Sequence, residues 1–141
     1  MLGFVVIASL IAYSVVVSQP LAYILFLGRA QRALSGPAYI ELRQHINPVM
    51  SRRLPATYVA TIAILLLLLV LSMHGAKWKL LIAATVALFC LVIDIVFMTR
   101  ENVPINGVID GWSTTDYPEN WEDYRRKWFA VFGYRQVVLL S

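Results

Sequence analysis

Two long stretches of this chain carry no charged side chain, and they limit its possible folds more than any other feature. One extends from residue 1 to residue 28, and the other, from residue 54 to residue 76, includes five consecutive leucines. A bilayer core about 30 Å thick needs roughly 20 apolar residues to be spanned by a helix. Each stretch is therefore predicted to span a membrane. The first lacks the positive segment and cleavage site of a secretory signal, so we expect it to be retained.

Two further spans are predicted from weaker patterns. The third covers residues 79–99 and contains Asp94, and the fourth covers residues 119–141, where Arg135 interrupts the apolar part. Charged residues make up 14% of this 141-residue chain, against about 25% in soluble domains. There is too little charge to cover a water-facing surface. With the first two spans at residues 3–28 and 55–74, we expect a single all-α domain, an integral membrane four-helix bundle.

The distribution of lysine and arginine predicts the orientation of the bundle. Nine of the twelve lie in or beside the first and third connections, and the second connection holds two. The positive-inside rule then places connections one and three in the cytoplasm and both termini outside, with a bacterial inner membrane as the expected location. Because the net charge of +4 lies largely at the membrane edge, we expect lipid and not nucleic acid as a partner.

The first connection contains a mixed apolar and polar segment at residues 38–50. Its apolar members, such as Tyr39, Ile40 and Ile46, alternate irregularly with polar ones. Such a pattern is typical of a helix that lies in the membrane interface. A short interfacial helix is therefore predicted between spans 1 and 2.

Three polar side chains are predicted to lie inside the bilayer at similar depth. At 1.5 Å per residue, Gln19, Asp94 and Arg135 lie roughly 9 to 15 Å from the same membrane edge. Because an unpaired ionisable group there costs several kcal/mol, we expect Asp94 and Arg135 to form an ion pair that shares hydrogen bonds with Gln19. The pair could be a packing device, or it could line a cavity that Pro20 widens by kinking the first helix. The sequence leaves both alternatives open.

The fourth span carries a stripe of aromatic and basic residues. Such groups on an inward face can stack a planar ring and hold an oxyanion. The alternative is an aromatic belt with snorkelling arginines at the membrane interface, and for Trp121 and Arg125 by themselves this alternative is favoured. Spacings of four, three, four and three put five residues on one helical face: Trp121, Arg125, Trp128, Phe132 and Arg135.

A motif in the C-terminal part of the chain has a known counterpart. The segment Asn102-Val103-Pro104-Ile105-Asn106, expected to be a turn, is followed by Trp121, Tyr124-Arg125, Trp128 and Arg135. This order resembles the anthrone-oxygenase-like family of small four-helix membrane proteins, most of them a domain of unknown function. The resemblance implies a membrane bundle and, as in the characterised members, oxidation of an anthrone to an anthraquinone by dioxygen without metal or flavin. One departure is Phe132, where many members carry Asn or His.

The resemblance and the chemistry together suggest site residues. A cofactor-free oxygenase needs a base, donors for an oxyanion and an apolar aromatic pocket. The expected catalytic residues are Asp94 as the base, with Arg125 and Arg135 as the oxyanion donors. The expected substrate contacts are Gln19, Asn102, Asn106, Trp121 and Trp128.

Cofactors are not expected, and a second class of function stays open. With Cys90 as its single cysteine and only two histidines, His45 and His74, the chain cannot build a thiolate zinc site or an iron–sulfur cluster. The alternative function is a non-catalytic membrane subunit whose Trp/Arg face docks a partner helix or a lipid headgroup, and a homo-oligomer is also compatible. A transporter is disfavoured because the two halves show no inverted repeat.

Overall fold

The computed structural model of the chain describes residues 1–75 and 77–140, and every regular element in them is helical. The connection between the first two helices is only three residues long, and short connections make successive helices antiparallel. The first and third helices each pack against both the second and the fourth. The predicted all-α arrangement of four helices is therefore confirmed. The helices are Leu2–Arg32, Gly36–His74, Trp78–Asp110 and Trp121–Leu140.

The first, second and third helices are long and apolar enough to cross a membrane. The fourth helix, 20 residues long, is not among them, because charged side chains occupy its first two turns. Large apolar side chains point away from the bundle: Phe4 is 76% exposed, Phe26 73% and Phe89 65%. An exterior of this kind is unfavourable in water and suits contact with lipid. The chain therefore has the character of a membrane protein.

The second helix is continuous over 39 residues, and the separate interfacial helix expected at residues 38–50 is not observed. Those residues form its first turns, and one side of them faces the bundle, where Tyr39 and Ile40 are fully buried, whereas Glu41, His45 and Val49 are exposed. Tyr39 belongs to one apolar cluster with Ile105 and Ile109. The third helix extends to Asp110, well beyond its predicted span, so it supplies an apolar partner that the local pattern could not reveal.

The end of the third helix is tied to the second helix by Gln44. The Gln44 side-chain amide donates to the carbonyl of Trp112 at 2.7 Å. It also lies 3.3 Å from the carbonyl of Ile109 and 3.4 Å from that of Asp110. Because the last carbonyls of a helix have no partner within the helix, these bonds stabilise the third helix where it leaves the bundle.

The first and third helices each contain one π turn. In the first helix it covers Tyr23–Leu27, shortly after Pro20, and in the third it covers Met98–Asn102, shortly before Pro104. Gln136 donates to the carbonyl of Pro20 at 3.0 Å, which joins the fourth helix to the first helix just before its π turn. The segment around Pro104 is helical and not the expected turn, and Pro104 lies two residues after the end of the second π turn.

The fourth helix begins at Trp121, two residues later than the predicted span. The connection that precedes it packs against the start of the second helix through Tyr117. A Cβ atom on Gly36 would lie 2.8 Å from the Tyr117 hydroxyl oxygen. A larger residue at position 36 would therefore require the Tyr117 ring to shift.

The core consists of three clusters along the bundle. The aromatic cluster lies at the end of the bundle that holds the first and third connections, next to the two π turns. It is followed by a mixed middle cluster and by a small aliphatic cluster near the other end. The aromatic cluster contains Tyr23, Tyr39, Ile105, Ile109, Trp128, Phe129 and Phe132.

Candidate functional site

A buried ion pair joins the third and fourth helices, as predicted. Arg135 donates from Nε to Oδ1 of Asp94 at 2.7 Å and from Nη2 to Oδ2 at 3.2 Å, so the pairing is bidentate. The Asp94 side chain is fully buried, and Arg135 is 5% exposed. A buried pair is stable only when its remaining polar atoms are also hydrogen-bonded.

Tyr58 and Asn102 supply those remaining bonds. The Tyr58 hydroxyl donates to Oδ2 of Asp94 and accepts from Nη2 of Arg135, the latter at 3.4 Å. The side-chain oxygen of Asn102 accepts from Nη1 of Arg135 at 3.1 Å. Three helices thereby meet in one hydrogen-bond network. The predicted hydrogen bonds from Gln19 to the pair are not observed, and the Gln19 amide donates instead to the sulfur of Met50 at 3.9 Å.

A cavity of about 600 Å³ begins beside this network. Arg135, Asn102 and Gln19 reach its wall, whereas Asp94 and Tyr58 are not among the lining residues. Of the two partners of this ion pair, Arg135 therefore borders the cavity and Asp94 lies behind Arg135. Much of the remaining wall is apolar and includes Met50, Leu54, Met98, Val103, Trp128 and Phe132.

Arg43 contributes a second guanidinium to the cavity wall and is 2% exposed. Its Nη2 donates to the side-chain oxygen of Asn106 at 2.6 Å, and that oxygen also accepts from Nε1 of Trp128 at 2.9 Å. The guanidinium carbon lies 4.2 Å from the centroid of the Trp128 ring. Its Nε is buried without a hydrogen-bond partner. In the part of the chain that the structure describes, no carboxylate lies within 4.0 Å of this guanidinium.

The carboxylate of Asp110 borders the same cavity. The Asn47 amide donates to Oδ1 of Asp110 at 2.7 Å, and both residues line the cavity. Asn47 is buried and Asp110, the last residue of the third helix, is exposed. Of the two asparagines predicted to contact substrate, Asn102 lies beside Arg135 and Asn106 beside Arg43.

The predicted stripe on the fourth helix divides into two parts. Trp128, Phe132 and Arg135 line the cavity, and the first two rings are stacked with their centroids 4.7 Å apart. Trp121 and Arg125 are not among the lining residues. The stripe extends over about 21 Å at 1.5 Å per residue, so it is longer than the region in which the helices enclose the cavity.

Arg125 instead fastens the fourth helix to the first connection. It donates from Nη1 to the carbonyl of Leu34 at 2.9 Å and pairs with Glu122 at 3.3 Å. Its guanidinium carbon lies 4.5 Å from the centroid of the Trp121 ring. The expected catalytic role of Arg125 and the expected substrate contact of Trp121 thus gain no support from the geometry.

Three residues that the structure places at the site were not among the candidates predicted from the sequence: Arg43, Tyr58 and Asp110. Arg43 and Asp110 look like ordinary charges of the connections, and Tyr58 like one of many apolar residues in its span. The available signal is helical spacing: Arg43 lies four residues before Asn47, and Asp110 four residues after Asn106. Residues four apart share a helical face, so the two pairs could have been recognised as polar faces.

Comparison with known proteins does not assign the chain to a family. No protein-family model, curated protein or solved structure matches it. The resemblance to the anthrone-oxygenase-like family therefore rests on the residue motif alone. Among the described residues, no group of three or more His, Cys, Asp or Glu side chains is placed to hold a metal ion.

Proposed function

We propose that the protein binds a planar hydrophobic molecule that can ionise to an oxyanion, and oxidises it with dioxygen, without a metal or flavin. Anthrones and related electron-rich phenols have this chemistry. The observation that carries the proposal is the buried guanidinium of Arg43, which lies in the wall of a mostly apolar cavity and, among the residues that the structure describes, has no carboxylate within ion-pair distance.

The charge of Arg43 favours an anion in the cavity. A buried charge without a counter-charge costs several kcal/mol. Arg135 has its counter-charge in Asp94, whereas Arg43 donates to the neutral amide oxygen of Asn106. Asp110 attracts Arg43 electrostatically but lies outside ion-pair distance. An oxyanion placed against Arg43 would supply the missing negative charge.

The cavity also offers an apolar aromatic wall to a hydrophobic molecule. The rings of Trp128 and Phe132 stack on each other at 14°, and the Tyr23 ring centroid lies 4.9 Å from that of Phe132. Such a cluster adds apolar contact area to the wall. The cavity volume of about 600 Å³ falls within the range of about 300 to 1,000 Å³ typical of small-molecule pockets. Phe132 stands where many members of the resembled family carry Asn or His, and it makes this part of the wall apolar.

We further propose that the cavity lies at the cytoplasmic edge of a bacterial inner membrane. Leu54 begins the charge-free part of the second helix, and the exposed Arg52 and Arg53 precede it directly. On this orientation the Arg135 end of the cavity lies deeper than the Arg43 end. An amphipathic ligand could then keep its rings on the membrane side and the oxygen that becomes the oxyanion on the cytoplasmic side.

The proposed reaction converts a ring methylene into a carbonyl. The methylene loses two hydrogens, one oxygen atom of dioxygen enters the product, and the other leaves as water. Removal of the first proton creates an enolate, whose oxygen Arg43 would stabilise as a preorganised donor. Asn106 and Trp128 hold Arg43 in place by hydrogen bonding and stacking. Arg135, bonded to Asp94, Tyr58 and Asn102, is assigned to holding the helices together.

The binding step can be tested by titrating the purified protein in detergent micelles with anthrone and following tryptophan fluorescence. A hydrogen bond to a charged group contributes about 1.5–3 kcal/mol, so Arg43→Met is expected to weaken binding by about 10- to 150-fold. Arg52→Met is the matched control, because Arg52 is an exposed arginine of the same helix and is not among the cavity-lining residues. Equal affinities of the two variants would contradict the proposal.

The oxidation step can be tested by oxygen consumption with a panel of anthrones and electron-rich phenols. Turnover by the wild type and by Arg52→Met, with loss in Arg43→Met, is the expected result. If no member of the panel is oxidised and a stable partner protein co-purifies, a non-catalytic membrane subunit becomes the better account. A haem or flavin band in the visible spectrum of the purified protein would contradict cofactor-free chemistry.

A further inference from the structure

We infer that Asp110 is the group that accepts the proton from the molecule bound in this cavity. The inference rests on the proposed function, and it assigns to Asp110 the role of base that the sequence suggested for Asp94. It follows from three observations: the state of Asp94, the carboxylates that border the cavity, and the position of Asp110 relative to Arg43.

Asp94 is enclosed by its partners. Its Oδ1 accepts from Arg135, and its Oδ2 accepts from Arg135 and from the Tyr58 hydroxyl. The side chain is fully buried and is not among the cavity-lining residues. A catalytic base must come within hydrogen-bond reach of the proton that it removes. Asp94 would have to break the buried network to do so.

Asp110 is the one Asp, Glu or His side chain among the described residues that line the cavity. Other carboxylates near this end of the bundle are engaged elsewhere: Glu101 pairs with Lys127 at 3.4 Å, and Glu122 and Asp123 each pair with an arginine of the fourth helix. His, Glu and Asp side chains are the commonest general bases. Asp110 is therefore the available proton acceptor.

The surroundings of Asp110 suit this role. Asn47 donates to Oδ1 at 2.7 Å, which fixes the orientation of the carboxylate beside the cavity. The backbone carbonyl of Asp110 lies 3.4 Å from the Gln44 amide, which holds the end of the helix. Because Asp110 is exposed, a proton that it accepts can pass on to water.

Asp110 and Arg43 border the same cavity from two different helices. Arg43 is bonded to Asn106 of the third helix, and Asp110 accepts from Asn47 of the second. The guanidinium and the carboxylate do not form an ion pair within 4.0 Å. In an anthrone the acidic methylene and the carbonyl oxygen lie on opposite sides of one six-membered ring, so the proton acceptor and the oxyanion donor must be separate groups of this kind.

The proton-transfer step balances without an added reactant. A C–H bond of the methylene breaks, its proton goes to a carboxylate oxygen of Asp110, and the electron pair moves onto the carbonyl oxygen as an enolate facing Arg43. Dioxygen enters only afterwards and oxidises the enolate, with water as the second product. Proton abstraction can therefore be measured separately from oxidation.

The test is hydrogen–deuterium exchange of the anthrone methylene in deuterium oxide, without oxygen and followed by NMR. The wild type and Asp116→Asn are expected to accelerate exchange over the buffer rate, and Asp110→Asn is expected to lose this acceleration by about 100-fold or more, since a general base contributes about 10²–10⁴-fold. Asp116→Asn is the matched control, an exposed aspartate outside the cavity lining. Asp110→Asn keeps an oxygen that can accept from Asn47, so this variant is expected to fold and to bind anthrone still.

The outcomes separate this inference from the proposed function. If Asp110→Asn exchanges as fast as the wild type, or if the wild type binds anthrone without accelerating exchange, Asp110 is not the base and the binding proposal is unaffected. If the wild type binds no anthrone and consumes no oxygen with the wider panel, the proposed function itself fails. If Asp110→Asn still binds anthrone but no longer accelerates exchange of its methylene, the result supports Asp110 as the base.

Discussion

Replacement of Arg135 by methionine should strongly destabilise the bundle. Methionine has a similar length and no charge, so Arg135→Met leaves Asp94 fully buried with the Tyr58 hydroxyl as its donor. The variant also removes the partner of the Asn102 side-chain oxygen. Breaking one side of a buried ion pair costs about 3–5 kcal/mol, because the remaining charge is uncompensated. At 1.4 kcal/mol per factor of ten, the unfolding equilibrium constant should rise by about 10²- to 10⁴-fold.

The double variant Asp94→Asn with Arg135→Met tests the cause of that loss. If the cost comes from an unpaired carboxylate, neutralising Asp94 should recover part of it. Neighbouring residues in one network typically show coupling energies of about 0.5–3 kcal/mol. The double variant should therefore be more stable than the sum of the two single losses predicts. A strictly additive result would mean that the charges do not interact.

Unfolding in detergent micelles, monitored by tryptophan fluorescence, is the appropriate measurement. Lys127→Met is the control, since Lys127 and Glu101 form an ion pair at 3.4 Å between side chains that are 63% and 40% exposed. Exposed pairs contribute at most about 1 kcal/mol. The reasoning is refuted if Arg135→Met is no less stable than Lys127→Met.

Three further predictions concern the network, the cavity and the first π turn. Tyr58→Phe removes a hydroxyl that bonds Asp94 and Arg135 and should lower the free energy of unfolding by about 1–3 kcal/mol; a change below 0.5 kcal/mol in chemical denaturation would be inconsistent with the bonded geometry. Gly107→Leu should weaken anthrone binding in the fluorescence titration at nearly unchanged stability, because Gly107 lines the cavity and a Cβ there meets nothing within 4 Å; unchanged affinity would argue against this wall. Gly28→Ala should lower the melting temperature, since its Cβ would lie 2.7 Å from the Tyr23 carbonyl oxygen, whereas Gly133→Ala, with open space around its Cβ, should raise it slightly through better helix propensity.

The sequence predicted the fold class because the relevant physics is local. A run without charges identifies a membrane helix by its length, and the unfavourable burial of a lone charge requires a partner. This reasoning is sufficient for the helices and for the pair of Asp94 with Arg135, which the structure confirms. It failed for residues 38–50, where a mixed pattern that is typical of an interfacial helix belongs to the start of a continuous helix, one side of which packs against the extended third helix.

The composition of the cavity wall was decided by tertiary structure. Helical periodicity tells which residues share a face, but it does not tell how far that face is rotated toward a neighbouring helix or how long the neighbour continues. A π turn makes the rotation of a helical face still harder to predict, because one extra residue in a turn rotates every following side chain by about 100°. Asp94 precedes the second π turn and Asn102 ends it, yet both contact Arg135.

Arg135 and Arg43 show most clearly what the sequence determines and what only the tertiary structure decides. From the sequence, Arg135 is conspicuous because it lies among apolar residues, and Arg43 is inconspicuous because it lies among other charges. In the folded bundle Arg135 is neutralised by Asp94, and Arg43 lies buried in the cavity wall with its Nε unpartnered. The sequence alone determined that the chain is a helical membrane protein with a buried ion pair. Only the packing of four helices determined which positive charge faces the cavity with no carboxylate of the described residues within 4.0 Å, because burial depends on neighbours that are distant in the chain.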